Sequence, residues 1–253
     1  MTSDFLLTVL GCAAPYPGVD DPCSGYLVSS GDTSVWVDAG TGTLAELQRH
    51  VRLDEVDAIW ISHLHADHSA DLLTAYYAAL FADIQLPAPI PLFGPPGTAD
   101  RLAHFLTNSS TRSPVESAFE IHELHDGHQV QVGALTLTSR AVAHGVPAFA
   151  LRIETAETSL VYSGDTAPCP NLMSLAEGCD VLLCEAESAQ PAPERVHHTP
   201  EEAGETATAA QASRLIVTHV GRALPRDQAA TRAATRFAGP VDYAAPGATF
   251  PLA

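Results

Sequence analysis

The chain of 253 residues contains no lysine, few aromatic residues and no long apolar run. Its 12 basic residues are all arginine, and with 30 acidic residues they give a formal net charge of −18. Long nucleic acids and anionic membranes usually bind through clustered Lys and Arg, so the charge disfavours both as partners. The longest apolar stretches, such as 76–81, fall far short of the roughly 20 residues that a membrane span needs. A small anion drawn to a locally positive site remains compatible with this composition.

The five cysteines are scattered, and none belongs to a Cys-x-x-Cys pair. An odd number of dispersed thiols fits reduced, buried side chains better than a disulfide framework. The N-terminus carries no basic segment before its first strand-like run, so no signal peptide is expected. These features lead us to expect a cytoplasmic protein.

Short apolar runs alternate with helical patterns along the whole chain, as they do in layered α/β domains. Hydrophobic residues make up 46% of the chain, and because composition shifts nowhere, residues 1–253 are expected to form one domain. The predicted strands are 5–10, 34–38, 58–61, 134–141, 148–154, 160–163, 181–185 and 215–218. The predicted helices are 43–51, 70–81, 98–107, 200–212 and 225–237. Segment 119–139 is predicted to be a hairpin or meander that turns at Asp126-Gly127.

Histidine and aspartate concentrate in segment 61–68, which reads ISHLHADH. The segment follows a predicted strand and precedes a predicted helix, where α/β proteins place their sites. His63 and His65 point the same way only if the chain is extended there, and Asp67 and His68 then lie in the turn into the helix. Three imidazoles and a carboxylate suit a borderline metal such as zinc. A histidine-rich surface loop is the alternative.

Three further candidate ligands, His144, Asp165 and His219, each follow a predicted strand. Glycine stands beside His144 and beside Asp165, and glycine lets backbone approach a metal closely. We therefore expect all three to join the histidines of segment 61–68.

The pattern HxHxDH at 63–68, with His144, Asp165 and His219 in that order, resembles the metallo-β-lactamase superfamily. The resemblance covers essentially the whole chain and implies an α/β fold, a four-layer αββα sandwich with a two-metal site at one edge of its sheets. It implies that one ion is held by His63, His65 and His144, that the other is held by Asp67, His68 and His219, and that Asp165 bridges both. In the commonest subclass of true β-lactamases a cysteine replaces Asp165, so antibiotic hydrolysis is not favoured.

The motifs LTVLGC at 7–12, CEA at 184–186 and HHTPEEA at 197–203 resemble the ribonuclease Z branch, which cleaves phosphodiesters. The opening PCSGYLV at 22–28 resembles the actinobacterial cyclic-nucleotide phosphodiesterases of the same fold more closely. Enzymes that process transfer RNA carry a long arm between the elements matching His144 and Asp165. Here residues 145–164 have room only for two strands and a turn, which makes precursor-tRNA processing a minority hypothesis.

Asp67, His197 and Glu185 are the candidate catalytic residues. His197 precedes a predicted helix start, where Thr199 and Glu202 form a capping box, and it is the candidate proton donor to the leaving alkoxide. The positive end of that helix is expected to lower the pKa of His197 and to favour its neutral form. The resemblance implies that Glu185 orients His197, and a merely structural carboxylate is the alternative.

The remaining histidines are interpreted as structural or surface residues: His50, His104, His122, His125, His128 and His198. No substrate-specificity residue is identified. Tyr16, Tyr76 and Tyr77 are candidates for the mouth of the site, and core packing explains them equally well.

We therefore expect a metal-dependent phosphodiesterase acting on a small anionic diester, first of all a cyclic 3′,5′-nucleotide, with water activated between two divalent ions as the nucleophile. Zn²⁺ is the first choice of cofactor, and Mn²⁺ or Fe²⁺ are admissible. Hydrolysis of a thioester, lactone or other acyl substrate stays open. A non-catalytic module that binds metal or nucleotide also stays open. The resemblance further implies a homodimer.

Overall fold

A computed structural model describes residues 5–252 except residues 83, 85 and 106–109. The strands are β1 (Phe5–Gly11), β2 (Ala13–Ala14), β3 (Gly25–Ser30), β4 (Thr33–Val37), β5 (Ala58–Trp60), β6 (Ile90–Gly94), β7 (Phe119–Glu123), β8 (Gln129–Val132), β9 (Leu135–Ala141), β10 (Phe149–Glu154), β11 (Ser159–Tyr162), β12 (Val181–Ala186), β13 (Arg214–Gly221), β14 (Val241–Tyr243) and β15 (Thr249–Pro251). The helices are α1 (Thr43–Leu47), α2 (Ala66–Ser69), α3 (Asp71–Phe81), α4 (Thr98–Phe105), α5 (Pro170–Leu175), α6 (Pro200–Ala209) and α7 (Arg226–Ala233).

The strands form two sheets that pack face to face. One sheet has the order β15-β1-β3-β4-β5-β6-β7, and the other has the order β14-β13-β12-β11-β10-β9-β8, with β2 paired to β13. Buried side chains from both sheets make one shared core. Helices α1, α3 and α4 cover the outer face of the first sheet, and α5, α6 and α7 cover the outer face of the second. The predicted αββα sandwich is confirmed.

Strand β4 shows why the central strands read as continuous apolar runs. Val35 and Val37 face the core between the sheets, while Trp36 packs beneath the helices of the first sheet. Successive side chains of a strand point to opposite faces, so a strand covered on both sides needs apolar residues at every position. Strand β12 behaves in the same way in the second sheet.

The parallel strands bring the candidate ligands to one edge of the sandwich. Strands β4, β5 and β6 run parallel in the first sheet, and β11, β12 and β13 run parallel in the second. Asp38 and segment 61–68 follow β4 and β5, whereas Asp165 follows β11 and His219 lies near the end of β13. All of these positions are at carboxyl ends of strands, where α/β sheets place their ligand sites.

The predicted hairpin over 119–139 is wrong. Strand β7 pairs in parallel with β6 in the first sheet, whereas β8 pairs antiparallel with β9 in the second. The turn at Asp126-Gly127 therefore carries the chain from one sheet to the other. The hairpin lies between β8 and β9, where Val132 pairs with Leu135 and Gly133 has φ +52°.

Two predicted helices differ from the structure in ways that concern the site. The helix predicted over 70–81 is preceded by the short helix α2, which begins directly after His65. The helix predicted over 98–107 is α4 up to Phe105, and residues 106 and 107 lie outside the described residues.

Within the described part of the chain, no helix has both the length and the apolar character needed to cross a bilayer.

Candidate metal centre

The seven predicted ligands converge at the edge where the parallel strands end. Their ligand atoms form compact groups, within which all atoms lie within 4.8 Å of one another: His63 with His65 and His144, Asp67 with His68 and His219, and Asp165 with His63 and His68. The first two groups are the sets that the resemblance assigns to the two ions. Asp165 lies between them, because its oxygens are 3.7 Å from Nε2 of His63, 3.2 Å from Nε2 of His68 and 3.4 Å from Nε2 of His219.

The local chain path explains how segment 61–68 serves both groups. His65 has the extended angles φ −67° and ψ 151° immediately before α2, which satisfies the requirement for His63 and His65 to point the same way. Asp67 and His68 then fall in the first turn of α2 and reach the second group.

Strained backbone places two ligands from the second sheet. Gly164 has φ +57°, and a Cβ atom at this position would lie 2.7 Å from the carbonyl oxygen of Phe149. Only glycine fits there, directly before Asp165. His219 has φ +46° and sits at a register shift where Glu185 pairs with Thr218 and Ala186 with Val220. This bulge leaves His219 out of the ladder and aims its side chain at the centre.

Hydrogen bonds to the Nδ1 atoms fix the orientation of four imidazoles. His68 donates to Asp38 Oδ2 over 2.7 Å, and His144 donates to the carbonyl oxygen of Val196 over 3.0 Å. Nδ1 lies 3.1 Å from Ser62 Oγ in His63 and 2.7 Å from Ser24 Oγ in His219. Nε2 of His63, His68 and His219 is thereby turned toward Asp165, and Nε2 of His144 is turned toward His65, as in metal-binding histidines.

Two buried polar atoms in the centre have no hydrogen-bond partner among the described residues: Nε2 of His68 and Oδ1 of Asp165. They lie 3.2 Å apart without the alignment of a hydrogen bond. A buried unpaired polar atom costs free energy, and a cation between the nitrogen and the oxygen would satisfy both. The imidazole and carboxylate donors therefore fit divalent ions of the zinc, manganese or iron type.

The pKa values of the ligands agree with this fit. Burial lowers the pKa of His63 and of His144, and it lowers the pKa of His219 to about 3, so these imidazoles are neutral and ready to bind a metal. Burial also lowers the pKa of His68, but the carboxylates of Asp165 and Asp38 raise it well above its ordinary value. A metal ion at His68 would therefore displace a proton.

His197 and Glu185 form a hydrogen-bonded pair at the rim of the centre. Nδ1 of His197 lies 2.9 Å from Oε1 of Glu185 and 3.9 Å from Oδ2 of Asp165. Glu185 is completely buried and accepts hydrogen bonds from the backbone N–H groups of Thr166 and Glu187. These contacts hold the carboxylate in place, so Glu185 in turn fixes the ring of His197.

The expectation that His197 favours its neutral form is wrong. The capping box of Thr199 and Glu202 is present at the start of α6. Burial alone would lower the pKa of His197, but the hydrogen bond and charge of Glu185 raise it above its ordinary value. A hydrogen-bonded carboxylate outweighs a helix terminus, whose effect is typically below about 1 kcal/mol. His197 therefore favours the protonated form.

The other histidines lie outside the groups of candidate ligands, and His122 and His128, expected at the surface, are partly buried against Phe93. His198 is buried, with Nδ1 donating to the carbonyl oxygen of Thr166 over 2.6 Å and Nε2 lying 3.1 Å from Thr206 Oγ1. His50 and His104 are exposed. The stretch 122–128 contributes no residue to the possible metal-binding groups found among the described residues.

Sequence reasoning missed Asp38, Ser24 and Val196, which hold the ligands from behind. Asp38 could have been found from the sequence, because a single acidic residue directly after a buried strand lies at the edge of the sheet that carries the ligands. No sequence pattern indicates the contact made by the carbonyl oxygen of Val196. Of the three tyrosines considered for the mouth, Tyr76 belongs to the core beneath the first sheet.

Comparisons with known proteins agree with this architecture. Residues 33–220 match the family model described as a beta-lactamase superfamily domain. An uncharacterised protein of Mycobacterium leprae (strain TN) is 36% identical, over 97% of this chain and 88% of the relative. Ribonuclease Z of Mycobacterium bovis (strain BCG / Pasteur 1173P2) is 30% identical, over 93% of this chain and 94% of the relative.

A solved structure shows the same fold along nearly the whole length. The crystal structure of the metallo-beta-lactamase fold protein YhfI from Bacillus subtilis superposes with a TM-score of 0.86 at 27% identity, over 98% of this chain and 99% of that chain. The family match, the fold and the His and Asp clusters point the same way. The chain belongs to the beta-lactamase superfamily domain family and has the architecture of its metallo-hydrolases.

Proposed function

We propose that the protein is a metal-dependent phosphodiesterase that hydrolyses a small anionic diester, with a cyclic 3′,5′-nucleotide as the leading candidate. The observation that carries the proposal is the His197–Glu185 pair at the rim of the seven-ligand centre. Cleavage of a phosphodiester expels an alkoxide, which needs a proton, whereas many acyl substrates have better leaving groups. A histidine that is hydrogen-bonded to a buried carboxylate beside the metal ligands suits the more difficult leaving group.

The ligands would hold two divalent ions: one on His63, His65 and His144, the other on Asp67, His68 and His219, with Asp165 shared. When bound, such ions supply Lewis-acid polarisation of phosphate oxygens and a water of lowered pKa. The fixed Nδ1 contacts of four histidines mean that the protein holds this geometry before substrate arrives.

His197 would protonate the leaving oxygen. Its Nδ1 is occupied by Glu185, so Nε2 is the atom left to donate. Glu185 stabilises the imidazolium form and keeps the ring from rotating, which makes it a positioning residue. Asp67 would orient the attacking water through Oδ2, which lies 3.8 Å from Nε2 of His68 and of His219.

The segment between His144 and Asp165 supports a small substrate. It contains only β10, β11 and their short connections, so it provides no arm that could grip a transfer RNA. The net charge of −18 also opposes a long polyanion. The relatives named ribonuclease Z support a phosphodiester as the bond, while this short segment supports a smaller molecule around it.

The direct test is hydrolysis by purified protein supplied with two equivalents of Zn²⁺ or Mn²⁺. We expect cyclic AMP or cyclic GMP to be opened to the 5′-monophosphate. Hydrolysis of neither cyclic nucleotide nor bis(p-nitrophenyl) phosphate, with metal shown to be bound, would overturn the proposal. Stoichiometric nucleotide binding without turnover would instead favour the non-catalytic module.

A further inference from the structure

An apolar pocket lies on the other side of the loop that carries the metal ligands. Leu64 and Leu73 line it on one side, and Leu102 and Phe105 line it on the other. Phe105 is 65% exposed, so the face of its ring is accessible to a molecule that enters the pocket. The pocket and the metal centre share residues 63–66, with His63 and His65 in the centre and Leu64 in the pocket wall.

One arginine, Arg101, also lines this pocket. Ten of the other arginines form ion pairs with Asp or Glu, and Arg222 donates to the carbonyl oxygen of Tyr16. Arg101 is exposed, and its guanidinium group contacts no partner among the described residues. In a chain of net charge −18, an unpaired guanidinium beside a candidate active site is available to a ligand.

The chemistry of the pocket indicates what that ligand carries. The apolar walls and the exposed ring of Phe105 suit a flat aromatic group. Arg101 supplies hydrogen-bond donors and no acceptor. Ser69 donates its hydroxyl hydrogen to the carbonyl oxygen of His65 over 2.8 Å. Among the residues that the structure describes, no carboxylate or amide side chain lines the pocket. The polar edge of the ligand is therefore expected to present acceptors.

We infer that this pocket holds the base of a nucleotide substrate and that Arg101 selects guanine over adenine; the inference rests on the proposed function. Guanine presents two adjacent acceptors, O6 and N7, to an arginine, whereas adenine presents N7 beside an amino donor. In this arrangement the phosphate would lie at the metal ligands, and the base would lie in the pocket on the other side of segment 63–66. The exposed side chain of His65 would lie between them.

The test compares Arg101→Met with Arg49→Met, which removes the same charge from an exposed arginine elsewhere. Binding of 5′-GMP and 5′-AMP to the zinc-loaded proteins is measured by equilibrium dialysis, together with KM for cyclic GMP and cyclic AMP. We expect Arg101→Met to weaken GMP binding by about 5- to 100-fold. AMP binding should weaken much less than GMP binding, because adenine offers Arg101 one acceptor instead of two. The kcat on bis(p-nitrophenyl) phosphate, which has no base, and all values for Arg49→Met should stay unchanged. Phe105→Ala should weaken binding of both nucleotides.

Equal effects of Arg101→Met on GMP and AMP, or no effect on either, would overturn the inference. If diesters are hydrolysed and the variant matches the wild type, only the base pocket is rejected. If no diester is hydrolysed while GMP binding still depends on Arg101, the phosphodiesterase proposal is rejected and the guanine pocket is supported.

Discussion

Oδ2 of Asp38 lies 2.7 Å from Nδ1 of His68, and both side chains are completely buried. The same carboxylate accepts hydrogen bonds from the backbone N–H and hydroxyl of Ser62 and from the hydroxyl of Tyr162. Asp38 belongs to the first sheet and Tyr162 to the second, so one carboxylate ties the two sheets together beside the metal centre. It also holds His68 with Nε2 facing inward.

Asp38→Asn should weaken metal binding without unfolding the protein. The amide keeps the shape of the carboxylate but loses the charge that holds the Nδ1 proton of His68, and such outer contacts typically affect metal affinity by about 10- to 100-fold. Competition with a chromogenic chelator measures the change. Asp32→Asn, an exposed position, serves as the control, and equal affinities for the two variants would contradict the role of Asp38.

Gly164→Ala should lower both stability and metal content. The added Cβ would lie 2.7 Å from the carbonyl oxygen of Phe149 in addition to adopting φ +57°, so we expect a loss of more than about 2 kcal/mol in the free energy of unfolding. Gly178→Ala is the matched control, because Gly178 has φ +63° but no atom within 4 Å of the added Cβ. That variant should lose about 1 kcal/mol. Similar losses of unfolding free energy in the two variants would mean that the positive φ accounts for the effect and that the contact with Phe149 adds nothing.

His198 should make the protein less stable in acid. Burial lowers the pKa of His198 to about 4, while an unfolded histidine titrates near 6.5. Its stabilising contribution is thus complete above about pH 6.5 and is lost as the pH falls toward 4, by up to about 3 kcal/mol. His198→Asn removes this titration, so the stability difference between wild type and variant, measured by urea unfolding, should shrink over that range. A constant difference would show that His198 does not titrate on unfolding.

His197→Ala should show whether His197 protonates the leaving oxygen of a phosphodiester. If His197 protonates an alkoxide, kcat on a cyclic nucleotide should fall by about 10²- to 10⁴-fold with metal content unchanged. The rate on bis(p-nitrophenyl) phosphate should fall much less, because p-nitrophenolate leaves without a proton. His104→Ala, at an exposed position, should change neither rate. Equal losses on both diesters would show that His197 does not act as the proton donor.

The convergence of the seven candidate ligands was predictable from the sequence, because their spacing and their positions at strand ends are local properties. The geometry of segment 61–68 follows almost completely from its sequence. An extended run followed by the start of a helix fixes the directions of its four candidate ligand side chains. The partners behind the ligands were not predictable in this way. Asp38 reaches His68 only because β4 and β5 are neighbours, and the carbonyl oxygen of Val196 reaches His144 only through the path of a loop.

The two wrong predictions, the hairpin over 119–139 and the neutral form of His197, have the same physical origin. Asp126-Gly127 does mark a turn, but which strands pair on either side depends on the sheets that β6 and β9 have already joined. For His197, the helix end is visible in the sequence, while the stronger influence of Glu185 comes from a strand well before it. Local chemistry was interpreted correctly in both cases, and the tertiary neighbour decided the outcome.

Each candidate ion site takes ligands from both sheets, because His63 and His65 need His144, and Asp67 and His68 need His219. During synthesis the chain is made from its N-terminus, so the first set is complete only after β9 and the second only near the end of β13. A nascent polypeptide still held by the ribosome before residue 219 thus lacks a full set for the second cation. If the protein holds two cations as proposed, loading of both would wait until nearly the entire polypeptide has emerged.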